Sequence, residues 1–224
     1  MDFIFMLTRG DKTVEDALDV IEQIAPLGLG HIGFKDVGVE PRTLQLLTDR
    51  IRALGALSYM EVVSETPEAC LRSARVAREL GVDRLLGGTD VKRITEILAG
   101  SPTTYFPFPG FPAGHPTKLG GTPADVTAHC ERFRAAGCAG ADILAYRATE
   151  ADPLELIRAA RRGIGDGYLI VAGSIASRER IEAVAAAGAD AFTIGTAVFD
   201  GSYNPRKGSL LSQLGDVLAD CEAA

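Results

Sequence analysis

The sequence predicts a single α/β domain of the (β/α)8 TIM-barrel class, eight parallel strands each followed by a helix. Three observations carry that expectation. Short runs rich in Ile, Val, Phe, Leu and Tyr alternate eight times with longer stretches of helical periodicity, the pattern of βα units that build a parallel sheet. The 224 residues come close to the roughly 250 typical of such a barrel, with no insertion that would make a second domain. The 25 glycines are spread along the chain at the ends of apolar runs, where strand–turn–helix junctions fall. An open doubly wound sheet is the competing architecture; eight regular repeats favour one closed barrel over residues 1–224.

The expected strands are residues 3–7, 31–34, 57–63, 83–87, 103–108, 141–146, 168–173 and 191–195. Several helices carry start signals. Thr13 is placed to cap a helix bearing Val14, Ala17, Leu18, Ile21 and Ile24. Thr66-Pro67 and Thr122-Pro123 put proline in a first turn, Ser177 precedes Ile181 and Val184, and Ser209 precedes Leu211, Leu214 and Leu218. Gly28, Gly55, Gly81, Gly137 and Gly188 each fall just past a helix, where glycine takes a left-handed cap most cheaply. From Pro107 to Gly121 the chain runs through Pro, Gly, Phe, His and Lys without periodicity. A loop that long inside a compact domain is usually either functional or disordered, and a solvated excursion is the competing reading. After the fifth strand it would lie at the C-terminal face of the barrel, so a substrate-contacting lid is expected.

Charge and cysteine usage narrow the functional classes. The net charge is −7, and no basic patch stands out, so nucleic acid is not an expected partner. Arg158, Arg161 and Arg162 read as one solvated helix face. Four widely spaced cysteines without a C-x-x-C pair suggest reduced thiols and a cytoplasmic location. No run approaches the roughly 18 apolar residues of a membrane span, so no membrane partner is expected. A homo-oligomer is compatible with the sequence. None of His31, His115 and His129 has a partner at metal-ligand spacing, and no G-x-G-x-x-G or Walker loop appears. Neither a metal nor another cofactor is therefore expected.

The strongest chemical signal lies in the last two units. Two apolar strands end in Gly173-Ser174 and Gly195-Thr196, and in barrels the loops after strands seven and eight frequently hold phosphate. Glycine lets the backbone approach an anion, the following N–H groups open a helix, and each hydroxyl adds a hydrogen bond. Residues 168–201, with VAGSI, AAAGADAFTIG and AVFDG, resemble the closing quarter of the ribulose-phosphate-binding barrels. That resemblance implies a phosphorylated sugar-like substrate with Gly173, Ser174, Gly195 and Thr196 as phosphate contacts. The histidine-pathway isomerases of that group carry aspartates at the ends of strands one and five. Leu7-Thr8-Arg9 and Phe106-Pro107-Phe108 stand there instead, so that activity is not implied.

Acid–base chemistry is expected from strands two and three. Lys35 ends the second and Glu61 sits on the third among apolar residues, where a carboxylate is costly to bury unless paired. A lysine–carboxylate site could move a proton next to a carbonyl or form an imine; a structural ion pair is the competing reading. Asp36 is placed to orient Lys35 or to begin the following turn. The strand-two lysine together with residues 171–175 is also similar to the furan-phosphate synthases of methanofuran biosynthesis, which implies imine formation on Lys35. Further substrate contacts are expected from Arg9 and Arg147, just past strands one and six, from Thr89, and from His115 and Lys118 in the long loop. Asp142 is assigned to the start of its strand, on the stability face. The expectation is an enzyme that isomerises or epimerises a phosphorylated small molecule, with a Schiff-base lyase and a non-catalytic phosphometabolite-binding protein as alternatives.

Overall fold

The computed structural model describes residues 1–62, 66–114 and 116–223, and eight parallel strands form its centre. They are β1 (Asp2–Met6), β2 (His31–Lys35), β3 (Leu57–Glu61), β4 (Arg84–Leu86), β5 (Thr104–Phe106), β6 (Gly140–Ile143), β7 (Tyr168–Val171) and β8 (Ala191–Ile194). Each pairs with its sequence neighbour, and β8 returns to β1. Two backbone bonds close the remaining seam, from Ala139 N–H to the Tyr105 carbonyl at 3.1 Å and from Asp142 N–H to the Pro107 carbonyl at 3.1 Å. The expected barrel is present, with all eight strands where the apolar runs placed them. Of the expected third strand, Val63 lies outside the described residues.

Around this centre lie α1 (Ala17–Ile24), α2 (Pro41–Ala53), α3 (Pro67–Leu80), α4 (Val91–Leu98), α5 (Pro123–Ala135), α6 (Pro153–Ile164), α7 (Arg178–Ala186), the short α8 (Thr196–Phe199) and α9 (Leu210–Ala223). Thr66, Thr122 and Ser177 cap their helices through the side chain. Asp90 caps α4 in the same way. Among the described residues no helix is long and apolar enough to cross a membrane.

Three local expectations are corrected. Thr13 does not cap α1, which begins at Ala17. It lies instead in a two-residue hairpin pairing Thr8–Arg9 with Lys12–Thr13, and its hydroxyl exchanges hydrogen bonds with the backbone of Lys35. The segment after β5 is not structureless: Phe111–Ala113 and Lys118–Gly120 pair antiparallel. Leu119 anchors that hairpin in the core, and Gly110 N–H donates to His129 Nδ1 at 3.0 Å. Arg161 is not a solvated cation. It binds the carbonyls of Gly165, Gly167 and Gly188 and pairs with Asp190, tying α6 to the start of β8.

The apolar side chains divide by strand parity. One set faces the helices. The other fills the barrel with Ile4, Met6, Tyr59, Leu86, Phe106, Ile170 and Ala191, as alternating inward positions must. At the N-terminal end the Arg84 guanidinium plugs this interior, 4.5 Å from the Tyr168 ring centre and 5.2 Å from that of Tyr59, a cation–π arrangement. One residue further along the inward rows the filling turns polar, with Lys35, Glu61, Asp142 and Thr193 all buried. That change from apolar to polar marks the C-terminal mouth.

Candidate active site

β2 and β3 run in register with Lys35 opposite Glu61, so both side chains enter the barrel at one level. The Lys35 ammonium lies 3.2 Å from Glu61 and 2.8 Å from Asp11. Asp11 comes from the tip of the 8–13 hairpin, where Gly10 and Asp11 both have positive φ (59° and 61°). Two left-handed residues in a row are what a tight two-residue hairpin turn requires. The same carboxylate accepts from both Nη atoms of Arg147, at 3.1 and 3.0 Å, the bidentate fork that guanidinium favours. Asp11 thus bridges the two cations of the mouth.

Burial alone would depress the Lys35 ammonium, but the charges of Glu61 and Asp11 outweigh it and its pKa is raised. Lys35 is therefore held protonated. For Asp11 burial acts upward, yet the Arg147 hydrogen bonds and the Lys35 charge hold the carboxyl well below its ordinary range. Asp142 behaves in the opposite way. It is fully buried, and neither carboxylate oxygen has a hydrogen-bond partner. Burial and the Glu61 charge raise its pKa well above the ordinary carboxylate value, against the pull of Lys35 and Arg147. Asp142 is the third of four residues in β6, beneath the mouth, which corrects its assignment to the stability face.

A pocket of about 300 Å³ joins these groups to the two glycine loops. Lys35, Glu61, Asp11 and Arg147 line it together with Gly173, Ser174, Gly195 and Thr196. Gly195 is required by packing: a Cβ there would sit 2.6 Å from Thr8 Oγ1 and 2.7 Å from the Thr8 carbonyl. Gly173 has φ 82°, and its Cα faces the Arg147 side chain. Among the described residues, no hydrogen bond takes the backbone N–H groups of Gly173, Ser174, Ile175, Thr196 or Ala197. The Thr196 hydroxyl accepts from Gly10 N–H at 3.3 Å. These loops line the pocket and leave backbone donors open, a combination suited to an anion.

The remaining expected residues are distributed more widely. Asp36 points away from the pocket and accepts a hydrogen bond from the Ser73 hydroxyl of α3. Arg9 is exposed on the hairpin, close enough to act electrostatically on Asp200 at the pocket rim. Lys118 is exposed on the second hairpin, whose Thr117 carbonyl lies 3.5 Å from Arg147 Nη1. His115 lies outside the described residues. Thr89 lines a different and larger depression of about 970 Å³ between α4 and α5, which contains neither Lys35 nor the glycine loops. Among the described residues no group of three or more His, Cys, Asp or Glu side chains is arranged to hold a metal ion.

Sequence reasoning missed Asp11 and Asp142. A glycine–aspartate turn between two short polar runs was the available signal for Asp11. For Asp142 it was a charged residue inside an otherwise apolar strand, at a parity that points inward.

No family model and no curated protein sequence matches the chain. Solved structures do. Orotidine 5'-phosphate decarboxylase from Pyrococcus horikoshii OT3 aligns over 98% of this chain and 99% of its own, at 17% identity and a TM-score of 0.65. A putative deoxyribose-phosphate aldolase from Coccidioides immitis aligns over 92% and 83%, at 11% identity and a TM-score of 0.64. Mandelate oxidase with (S)-2-phenylpropionate aligns over 100% and 73%, at 12% identity and a TM-score of 0.66. At these identities the likeness is one of fold. What they share with this chain is the (β/α)8 barrel, and the substrate has to be argued from the site.

Proposed function

We propose that this protein is an enzyme that isomerises or epimerises a phosphorylated sugar-like molecule by proton transfer next to a carbonyl. One observation carries the reading: the Lys35–Glu61 pair and the Gly173-Ser174 and Gly195-Thr196 loops line the same small pocket. The loops anchor the phosphate and so orient the reacting carbon over the pair. Glu61 takes the proton from the carbon beside the carbonyl. The Lys35 ammonium stabilises the negative charge that develops on oxygen, and the proton returns to a neighbouring carbon or to the opposite face of the same one. Two of the fold neighbours are named for phosphorylated compounds, in keeping with this substrate class.

An imine mechanism needs Lys35 as a neutral amine. Two carboxylates within 3.2 Å favour the ammonium instead, which is why proton transfer is preferred to a lyase reaction. Solvent exchange tests the proposal. Phosphorylated aldoses and ketoses incubated with the protein in D2O should lose the proton beside the carbonyl, as followed by ¹H NMR. Glu61→Gln should stop the exchange, and Ser174→Asp should abolish ligand-dependent thermal stabilisation. A borohydride-trapped adduct on Lys35 would turn the assignment to a lyase. A wild type without turnover or exchange, whose ligand response is untouched by Lys35→Ala and Glu61→Ala, would make the protein a sensor, whereas an enzyme should lose turnover in those variants while still binding phosphate.

A further inference from the structure

The loop after β7 passes through two left-handed residues, Gly173 and Ser174, the latter at φ 60°. A side chain makes that conformation unfavourable, and it persists only where the surroundings hold it. Among the described residues one side chain does so. Arg180 in the first turn of α7 donates from Nη1 to the Ser174 carbonyl oxygen. Its guanidinium is braced 4.7 Å from the ring centre of Tyr146, which follows β6. An otherwise exposed arginine is thus fixed between two βα units with its donor on the glycine loop.

The carbonyl and the N–H of a trans peptide point in opposite directions. With the Ser174 carbonyl drawn outward to Arg180, the N–H of Ile175 turns the other way, toward the pocket that Ile175 lines. No hydrogen bond among the described residues takes that N–H. We propose that Arg180 is a positioning residue of the anion site, holding the Ser174 carbonyl so that the Ile175 N–H is aimed at a phosphoryl group. The inference rests on the phosphate reading of this loop. It explains how an acidic chain presents an anion site through backbone donors, with an arginine acting from behind the loop.

Inorganic phosphate is the probe, followed by calorimetry and by the amide spectrum of the ¹⁵N-labelled chain. Phosphate should move the Ile175 amide resonance in the wild type. Arg180→Ala should weaken phosphate binding roughly tenfold or more, as loss of a charge-assisted hydrogen bond does. The Ile175 response should disappear while the rest of the amide spectrum shows the fold retained. Arg180→Gln keeps a donor without the charge and should recover most of the affinity. Glutamine behaving like alanine, or alanine binding as tightly as the wild type, would overturn the positioning role. A wild type that neither binds phosphate nor shifts Ile175 would bring down the phosphate reading itself, so the two failures are told apart.

Discussion

The Asp11 carboxylate lies 2.8 Å from the Lys35 ammonium although 24 residues separate them in the chain. It reaches Arg147 as well, so one hairpin tip from the first βα unit organises the cations of the second and sixth. The mouth contains Lys35 and Arg147 as cations, with Asp11 and Glu61 as their carboxylate partners, and Asp142 beneath them without a hydrogen bond. Burial and the Glu61 charge push the Asp142 carboxyl upward, toward the neutral acid that leaves two cations facing two carboxylates.

Removing either side of the Lys35 pair should have unequal effects. Lys35→Met leaves Glu61 and Asp11 facing each other in a buried site and should cost about 3 kcal/mol. Glu61→Gln leaves the Lys35–Asp11 pair in place and should change stability by less than about 1 kcal/mol. Urea denaturation of both variants checks the ordering, and equal losses would contradict it.

Asp142 gives the stability a dependence on pH whose sign can be stated. Its folded pKa is raised above the ordinary 3.8. The folded state therefore holds the proton more tightly, and its advantage is complete below that value and lost as pH rises toward the folded pKa. Asp142→Asn has no such titration. Its thermal midpoint relative to the wild type should climb as pH increases from 4 upward, and a difference independent of pH would rule out a buried neutral acid.

Asp11 works in the opposite direction. Its folded pKa is depressed below 3.8, so its contribution is present above that value and is lost as pH falls toward the folded pKa. Asp11→Asn should cost about 2 kcal/mol at neutral pH and should lose less of its remaining stability than the wild type on acidification below pH 4. Denaturant titrations at pH 7 and pH 3 provide the comparison.

Gly195→Ala places a methyl group against both the hydroxyl and the carbonyl of Thr8. Backbone cannot yield as a flexible side chain does, and the overpacking should cost roughly 1–3 kcal/mol. Phosphate-dependent thermal stabilisation should disappear in the same variant. Retention of that stabilisation would show that the loop after β8 does not contact the anion.

Ser174→Gly separates conformation from contact. Glycine accepts φ 60° without penalty, so the folded state should lose strain on the order of 1 kcal/mol, partly offset by the greater freedom of the unfolded chain. Phosphate affinity should fall because the hydroxyl is gone. A rise in affinity would mean that the hydroxyl contributes nothing and that strain was limiting the site.

The barrel itself was legible in the sequence because its signals are local. Each strand is a short apolar run and each helix a 3.6-residue periodicity, and closure follows once eight such units are strung together. The glycine–hydroxyl endings of β7 and β8 and the inward placement of Lys35 and Glu61 were legible for the same reason: strand parity and chain position fix them. Tertiary structure decided the rest. Whether Thr13 caps a helix or binds the Lys35 backbone, and whether Asp36 turns to the pocket or to Ser73, depends on which segments pack nearby. Neighbouring residues in sequence do not encode that. Asp11 and Arg147 meet across 136 positions, and the low polarity that raises the Asp142 pKa comes from staves all around the barrel. Pairing and burial are properties of the assembled interior, because the cost of an unpaired charge is set by everything that excludes water from it.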